Sequence, residues 1–332
     1  MMPDTPDTNT TKANIPHPNT PDQNIPNQNT VDANTMDQNS SKKPSVADIL
    51  VEALPYIQQF STKTIVIKYG GHAMVDEKLK RDFANDITLL KFIGINPVVV
   101  HGGGPQINKV LSAMGITSTF IRGMRYTDDA TMDVVEMVLG GKVNKDIVAR
   151  INQEGGRAVG LTGKDGSLIL AEKMKIYVQD DREKPPEIID PGMVGDVVSV
   201  NPEIIHTLTA QGFIPIIAPV GIGKNGETYN INADVVASRI AASLAAERLI
   251  LVTDVDGVLD PDQNLVSSVN GTDIRQMIEN RQIQGGMIPK VECALSALQR
   301  KVKKAHIING KISHAVLLEL FTDSGIGTQV ER

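Results

Sequence analysis

Tryptophan is missing from this chain, and aromatic residues make up only 3% of its 332 residues. That poverty argues against a protein that stacks nucleic-acid bases on aromatic platforms. There is one cysteine, Cys293, which excludes an internal disulfide and any multi-thiolate zinc site and fits a reducing compartment such as the cytoplasm. It stands in the helical stretch VECALSAL and reads as a small core residue. No stretch approaches the ~18 to 20 consecutive apolar residues of a membrane span, so a soluble protein is expected. Positive charge is also short: the net charge is -6, which gives no general attraction to phosphate backbones or anionic lipid. Any anionic ligand must be held by a local cluster of cationic side chains. What the chain does have is aliphatic mass. Its 41% apolar residues are mostly Val, Ile, Leu and Ala, which favours an α/β protein with parallel strands, built as two domains or as one large two-lobed unit.

Residues 1–43 are a different material. The near-repeats PDTPDTNT, PNTPDQNIPNQNT and VDANTMDQN hold too little apolar surface to offset the entropy of ordering, so a disordered, solvated tail is expected. The segment lacks the apolar region of a signal peptide, and it is neither Arg-rich nor acid-poor as a transit peptide would be. Residues 44–61 open the ordered part with SVADILVEALPYIQQF, in which Ser45 and Asp48 resemble a capping box and Val46, Leu50, Leu54 and Ile57 recur at helical spacing. This predicts an amphipathic helix kinked at Pro55, packed on its own domain or paired with the same helix of another subunit.

From residue 63 onward short apolar runs alternate with helical periods, the pattern of parallel strands linked by crossover helices. Strands are expected at TIVIKY, NPVVVH, RAVGL, FIPIIAP, RLILVT and KAHII. Helices are expected on the face marked by Leu79, Phe83, Ile87 and Leu90, and over 129–153, 232–246, 272–280 and 289–303. The stretch 166–200 alternates instead and predicts antiparallel hairpins covering one end of the sheet. A composition shift at GIGKNGETYN, residues 221–230, marks the junction between a lobe over 62–220 and a lobe over 221–332.

Two of the strands run straight into glycine, at Tyr69-Gly70-Gly71 and at Gly102-Gly103-Gly104. Glycine at the carboxyl end of a parallel strand lets backbone N–H groups approach a ligand, and a following helix adds the positive end of its dipole. Ligands of open α/β sheets gather at that edge. Neither loop matches a common nucleotide fingerprint: GLTGKDGS and GIGKNGE place Gly-Lys before Asp and Asn, and no G-x-G-x-x-G is followed by an acidic residue at the dinucleotide spacing. A glycine triplet alone is as compatible with a tight turn as with an anion site. Lys68 favours the anion site, because strand alternation can project its ammonium towards the same point.

The segments IKYGGHAM, VVVHGGGPQI, GMRYTDDATMDVVEMVLGGKVNKDIV, YNINAD, TDVDGV and GGMIPK follow one another in that order. Together they resemble the amino-acid kinase family, in particular its N-acetylglutamate kinases, over roughly residues 45–332. The resemblance implies a three-layer α/β/α sandwich of the carbamate kinase-like type, with a largely parallel central sheet, two lobes and an added kinked N-terminal helix. The lobe over 62–220 would bind N-acetyl-L-glutamate and form a homodimer, and the lobe over 221–332 would bind ATP and arginine. The implied reaction moves the γ-phosphoryl of ATP onto the side-chain carboxylate of N-acetyl-L-glutamate, giving an acyl phosphate in arginine biosynthesis. Mg²⁺ would arrive with ATP, without a metal site of the protein's own. A carboxylate is ionised near pH 7 and needs no general base; the obstacle is its approach to a polyanionic triphosphate. No catalytic histidine is expected, and His101 beside the glycine triplet reads as structural.

Carried onto this chain, the resemblance makes Lys68 and Lys290 the groups that stabilise the transferring phosphoryl and Asp234 the carboxylate that orients them. An Asp at a helix start also serves as a cap worth ~1 kcal/mol. Gly70, Gly71 and Gly103 would line the phosphoryl path and Gly104 would help cradle the acceptor. Arg125 would grip the acceptor's α-carboxylate with Asn230 as its partner, a role that suits the planar guanidinium fork. The acetylated nitrogen carries no charge, so a neutral pocket is expected there. The turn Asp254-Val255-Asp256-Gly257-Val258-Leu259 and the segment Gln282-Ile283-Gln284 would contact the nucleotide.

The N-terminal helix and the final stretch HIINGKISHAVLLELFTDSGIGT resemble the arginine-inhibited hexameric members. Glu319, His306 and the loop from Gly325 to Gly327 would receive arginine as effector, with Tyr56 closing over it; the plainer reading is that Glu319 caps a terminal helix. Interlaced helices would join homodimers into a homohexamer, a PII-type signalling protein is left open as a partner, and neither nucleic acid nor membrane is expected. Two other readings stand beside this one. A family kinase acting on aspartate, glutamate, carbamate or UMP is opposed by GMRY, DDATMDVVEMVLGG and NINAD. A non-catalytic arginine sensor is opposed by the presence of both lysines.

Overall fold

Eight strands form the main sheet of the computed structural model, which describes residues 46–121, 123–178 and 187–332. The expected tail over 1–43, and Ser45 with it, lie outside the described residues. In chain order the strands are β1 (Thr64–Tyr69), β2 (Asn96–His101), β3 (Ala158–Thr162), β4 (Ile214–Ala218), β5 (Arg248–Thr253), β6 (Ser268–Asn270), β7 (Lys304–Asn309) and β8 (Thr328–Glu331). Their spatial order is β6-β8-β7-β5-β1-β2-β4-β3. All pairs are parallel except β7 with β8. The helices are α1 (Val46–Phe60), α2 (Glu77–Phe92), α3 (Gly104–Ala113), α4 (Asp129–Glu136), α5 (Asn144–Gln153), α6 (Glu203–Ala210), α7 (Ala233–Ser243), α8 (Gly271–Glu279), α9 (Met287–Gln299) and α10 (Ala315–Phe321).

Strand alternation sorts these helices onto two faces. Ile65 and Ile67 of β1 and Val99 of β2 join a core with Phe83 of α2, Ile107 of α3 and Ile151 of α5. Val66, Val98 and Val100 join a second core with Val236 of α7 and Val291 of α9. A sheet covered on both sides explains why its strands read as continuous apolar runs. The result is the expected α/β architecture with a mostly parallel central sheet. Parity also places two polar side chains. Lys68, in step with Val66, faces the α7 and α9 layer; His101, in step with Val99, faces the α5 layer.

All the expected strands form, and β6, β8, α3 and α6 are additions. The main departure is at 129–153, expected as one helix. The chain instead forms α4, a π-helical turn over Met137–Val143, and α5. Gly140 and Gly141 sit within that turn, where weak helical preference lowers the cost of inserting an extra residue. Antiparallel pairs do occupy 166–200: Ile169–Lys173 pairs with Gly195–Val200, and Ile176–Val178 with Glu187–Ile189. The first pair belongs to a four-stranded sheet with Val220–Ile222 and Thr228–Asn230. The GIGKNGETYN stretch makes the hairpin of that sheet. α1 runs through Pro55 and leaves Ile49, Leu50, Val51 and Leu54 exposed. Among the described residues no helix is long and apolar enough to cross a membrane.

Ile67 is fully buried in the middle of the sheet. Ile67→Ala should lower the unfolding free energy by about 2–5 kcal/mol in urea titration, the usual range for such truncations.

Candidate active site

Three charged side chains meet where β1, α7 and α9 converge. Asp234 is in the first turn of α7, and Lys290 in the first turn of α9. The Lys68 ammonium lies 3.0 Å from Asp234 Oδ1, and the Lys290 ammonium donates to Asp234 Oδ2 at 3.0 Å. The Lys290 contact is a hydrogen bond; the Lys68 contact lacks hydrogen-bond geometry and is an ion pair, which leaves Oδ1 without a formal donor. Capping of α7 falls to Asn232, whose side chain accepts from the Asp234 N–H at 2.7 Å, so the Asp234 carboxylate is left to the lysines. Lys68 and Asp234 are only 8% and 6% exposed, so this charge exchange takes place in a poorly hydrated environment. Burial pushes the Asp234 carboxyl up, and Lys68 followed by Lys290 outweigh it, holding the group below the usual carboxylate range.

This triad stands between two cavities that share Lys68 and Gly71. The larger, about 780 Å³, is lined by Lys68, Lys290, Asp254, Val255, Gly257, Val258 and Leu259 and by Gln282–Gln284. Asp256, expected in the same turn, is not in its wall; its carboxylate accepts from Asn309 Nδ2 at 2.6 Å. Gly70, also expected on the nucleotide side, lines the smaller cavity. Gly71 has φ +70, and a side chain there would run into the Asp254 carboxylate, which accepts from the His72 N–H. The turn after β1 is thus tied to the turn after β5. Arg281, Asp260 and Gln263 also line this cavity; as loop residues outside any pattern they gave no signal in the sequence.

The smaller cavity, about 300 Å³, is lined by Lys68, Gly70, Gly102 to Gly104, Arg125, Asn230 and Asp234. Arg125 is 7% exposed, donates to Ser118 Oγ, and stacks 4.8 Å from the Phe120 ring centroid. Among the described residues no carboxylate is within ion-pair distance of it. Burial draws its pKa down. A buried cation without a counter-ion is costly, and an anionic ligand in the cavity removes that cost. Among the described residues no hydrogen bond joins Asn230 to Arg125. The Asn230 amide donates to Thr127 Oγ1 at 3.3 Å, and that hydroxyl donates to the Arg125 carbonyl at 2.9 Å. The rest of the wall includes Phe120, Leu139, Met174 and Val194, an apolar set that sequence reading did not name.

A third cavity, about 440 Å³, brings together Tyr56, His306, Glu319, Gly325 and Gly327. His306 Nδ1 lies 2.5 Å from Glu319 Oε1, and Glu319 Oε2 accepts from Ile326 N at 2.8 Å and Gly327 N at 3.1 Å. The Tyr56 hydroxyl donates to Asp323. Arg248 and Lys304 also line this space and were not anticipated.

Among the described residues, no cluster of three His, Cys, Asp or Glu could hold a metal ion. Asp234, in the wall of the smaller cavity, is committed to two ammoniums, and in the larger cavity Asp260 accepts from the amides of Asp262 and Asn264. Asp254 is exposed with one oxygen engaged by His72. This donor set fits an ion carried in on a phosphate ligand, not one caged by protein.

The amino acid kinase family model matches residues 63–309. The chain is 57% identical over 289 residues to the acetylglutamate kinase of Syntrophus aciditrophicus, covering 87% of this chain and 98% of that protein. In three dimensions it resembles an N-acetylglutamate synthase from Neisseria gonorrhoeae, solved with coenzyme A and N-acetyl-glutamate, at TM-score 0.76 and 25% identity over 87% of this chain. The chain spans 64% of that synthase's length. Carbamate kinase from Giardia lamblia bound to AMP-PNP shares the fold at TM-score 0.57 and 18% identity, over 81% of this chain and 98% of that one. The chain therefore belongs to the amino acid kinase family. Within it, the strong likeness is to acetylglutamate kinases, across nearly the full length of those relatives.

The carboxyl of Asp234 is held low, so its ion pairs stabilise the fold above the unfolded carboxyl's ~3.9 and that stability is lost as pH falls through the lower folded value. Asp234→Asn should be less stable at pH 7 and should lose less stability than the parent on acidification below about pH 4. Urea midpoints measured across that range check both statements.

Proposed function

We propose that this protein transfers the γ-phosphoryl of ATP to the side-chain carboxylate of N-acetyl-L-glutamate, in the cytoplasm, as a step of arginine biosynthesis. The observation that carries the reading is the Lys68–Asp234–Lys290 triad at the wall between a large cavity and a small one lined by Arg125, which has no carboxylate partner among the described residues. A triphosphate in the larger cavity would bring its terminal phosphoryl to the lysines. N-acetylglutamate would enter the smaller one with its α-carboxylate on Arg125 and its acetamide against the apolar wall and Asn230. An oxygen of the side-chain carboxylate then attacks the γ-phosphorus, the bond from that phosphorus to the β,γ-bridging oxygen breaks, and acyl phosphate and ADP result. No proton has to be removed from the nucleophile.

Each protein group has a defined electrostatic task. Lys68 borders both cavities and lessens the repulsion between the incoming carboxylate and the phosphoryl oxygens; Lys290 faces the nucleotide side and meets charge that builds towards the leaving oxygen. Asp234 keeps the two ammoniums in place without neutralising both. Mg²⁺ bound to ATP would supply further charge compensation, held by phosphate oxygens and water with Asp254 at hand. In this reading residues 62–220 serve mainly the acceptor, to which Asn230 also contributes, and residues 221–332 serve mainly the nucleotide. The third cavity would bind arginine as an inhibitor: Glu319 matches a guanidinium, and Arg248 and Lys304 match an α-carboxylate. The exposed apolar residues of α1 support its use in joining dimers to a hexamer.

Incubation with ATP, Mg²⁺ and N-acetylglutamate should yield a product trapped as a hydroxamate, and aspartate, glutamate, carbamate and UMP should not replace the acceptor. Lys68→Ala should lower kcat by at least about 100-fold, the scale of removing one preorganised group from a charged transition state. If the parent enzyme forms no hydroxamate, the acceptor assignment is wrong. Arg125→Lys should raise the acceptor KM about tenfold with little effect on the ATP KM, because Lys cannot make the bidentate contact. Arginine should raise the acceptor requirement of the parent but not of Glu319→Ala; equal inhibition of the two would remove Glu319 from the effector site.

A further inference from the structure

His101 closes β2 immediately before the glycine triplet and is completely buried. Its parity turns it away from Lys68 and towards α5, where Asn144 is the first residue after the π-helical turn. Asn144 Nδ2 lies 2.9 Å from the Ile216 carbonyl, 3.4 Å from the Leu161 carbonyl and 3.2 Å from His101 Nε2. Asn144 Oδ1 accepts from the Lys145 ammonium at 3.2 Å. Two backbone carbonyls fix the amide orientation, since only its NH₂ end can face them. His101 Nε2 must therefore accept, and the ring proton belongs on Nδ1. Nδ1 lies 2.7 Å from the Gly102 carbonyl and donates to it. Burial pushes the imidazole down to about 4, so the ring is neutral at working pH and the tautomer is fixed by its neighbours.

The peptide between Gly102 and Gly103 is planar and trans, so its C=O and N–H point in opposite directions. Holding the Gly102 carbonyl towards the imidazole turns the Gly103 N–H away from it, and Gly102 to Gly104 form part of the smaller cavity's wall. Gly103 and Gly104 also begin α3, where the first N–H groups have no partner within the helix. Two further contacts brace the same loop. Leu139, from the π-helical turn, lies 2.5 Å from where a side chain at Gly103 would begin. On β3, any side chain at Gly160 would collide with Asn144 Oδ1, so that glycine makes room for the amide. The extra residue of the π-helical turn sets the spacing by which Leu139 reaches Gly103 and Asn144 reaches His101.

We infer that His101 and Asn144 are a buried positioning pair that fixes the plane of the Gly102 peptide and thereby aims the N–H groups of the glycine loop at the carboxylate acceptor. The inference rests on the acceptor reading of the smaller cavity. Neither residue meets the reacting atoms; both act through the loop backbone.

The test compares three forms of the full chain in steady-state kinetics. His101→Leu keeps the bulk and removes the donor, and should raise the acceptor KM about tenfold, the loss of one hydrogen bond at roughly 1.4 kcal/mol per decade, while the ATP KM changes less than about threefold. His101→Asn puts an amide NH₂ where Nδ1–H stood and should recover most of that loss. The inference is overturned if the two KM values rise together, or if His101→Asn is no better than His101→Leu. A measurement on the unaltered protein covers the case in which a variant does not fold. With ¹⁵N-labelled histidine, the His101 ring should be the neutral Nδ1–H tautomer from about pH 5.5 to about pH 8, and an Nε2–H tautomer overturns the inference. That spectrum needs no turnover, so it separates failure of this inference from failure of the acetylglutamate reading, which the hydroxamate assay of the parent decides.

Discussion

One buried carboxylate held between two ammonium groups is the constraint on which the rest depends. Alone, Asp234 would be expelled or protonated by its surroundings; alone, Lys68 and Lys290 would repel each other. Together they leave one positive charge at the wall between two cavities. The arrangement needs three elements from distant parts of the chain, β1, α7 and α9, to deliver their first or last turns to one edge of the sheet. A parallel sheet does this as a matter of topology, because every parallel strand ends at the same edge.

How far this was legible in the sequence depended on the kind of signal. Strands covered on both faces are unbroken runs of aliphatic residues, so β1 to β5 and β7 stood out. β8, with the sequence TQVE, pairs antiparallel at one side and carries no such run. Alternation within β1 was enough to suggest that the Lys68 ammonium reaches the point the glycine turns face, but not which helices would meet it. Lys290 and Asp234 entered through resemblance. The structure adds that Asn232, not Asp234, caps α7, which the sequence left open.

Other features could not be read because they break local pattern. The segment 129–153 keeps helical periodicity throughout, and only backbone geometry exposes the π-helical turn inside it. Arg281 and Arg248 are single cations without neighbours of their kind in sequence, and Lys304 ends the basic run Arg300–Lys304, which carries no site pattern; folding gathers them into cavities. Asp256 illustrates the opposite error. It stands in the right turn, but its side chain is taken up by Asn309 and so does not join the cavity wall that its neighbours form.

Lys68 and Gly71 belong to both cavities at once. An ammonium shared in this way cannot be saturated by one anion without altering what the other feels. Occupancy of either chamber must then change the affinity of its neighbour, and by the same factor in both directions, since linkage of equilibrium binding is reciprocal. Synergy or antagonism between anions is therefore written into the wall between the chambers, with no moving part required.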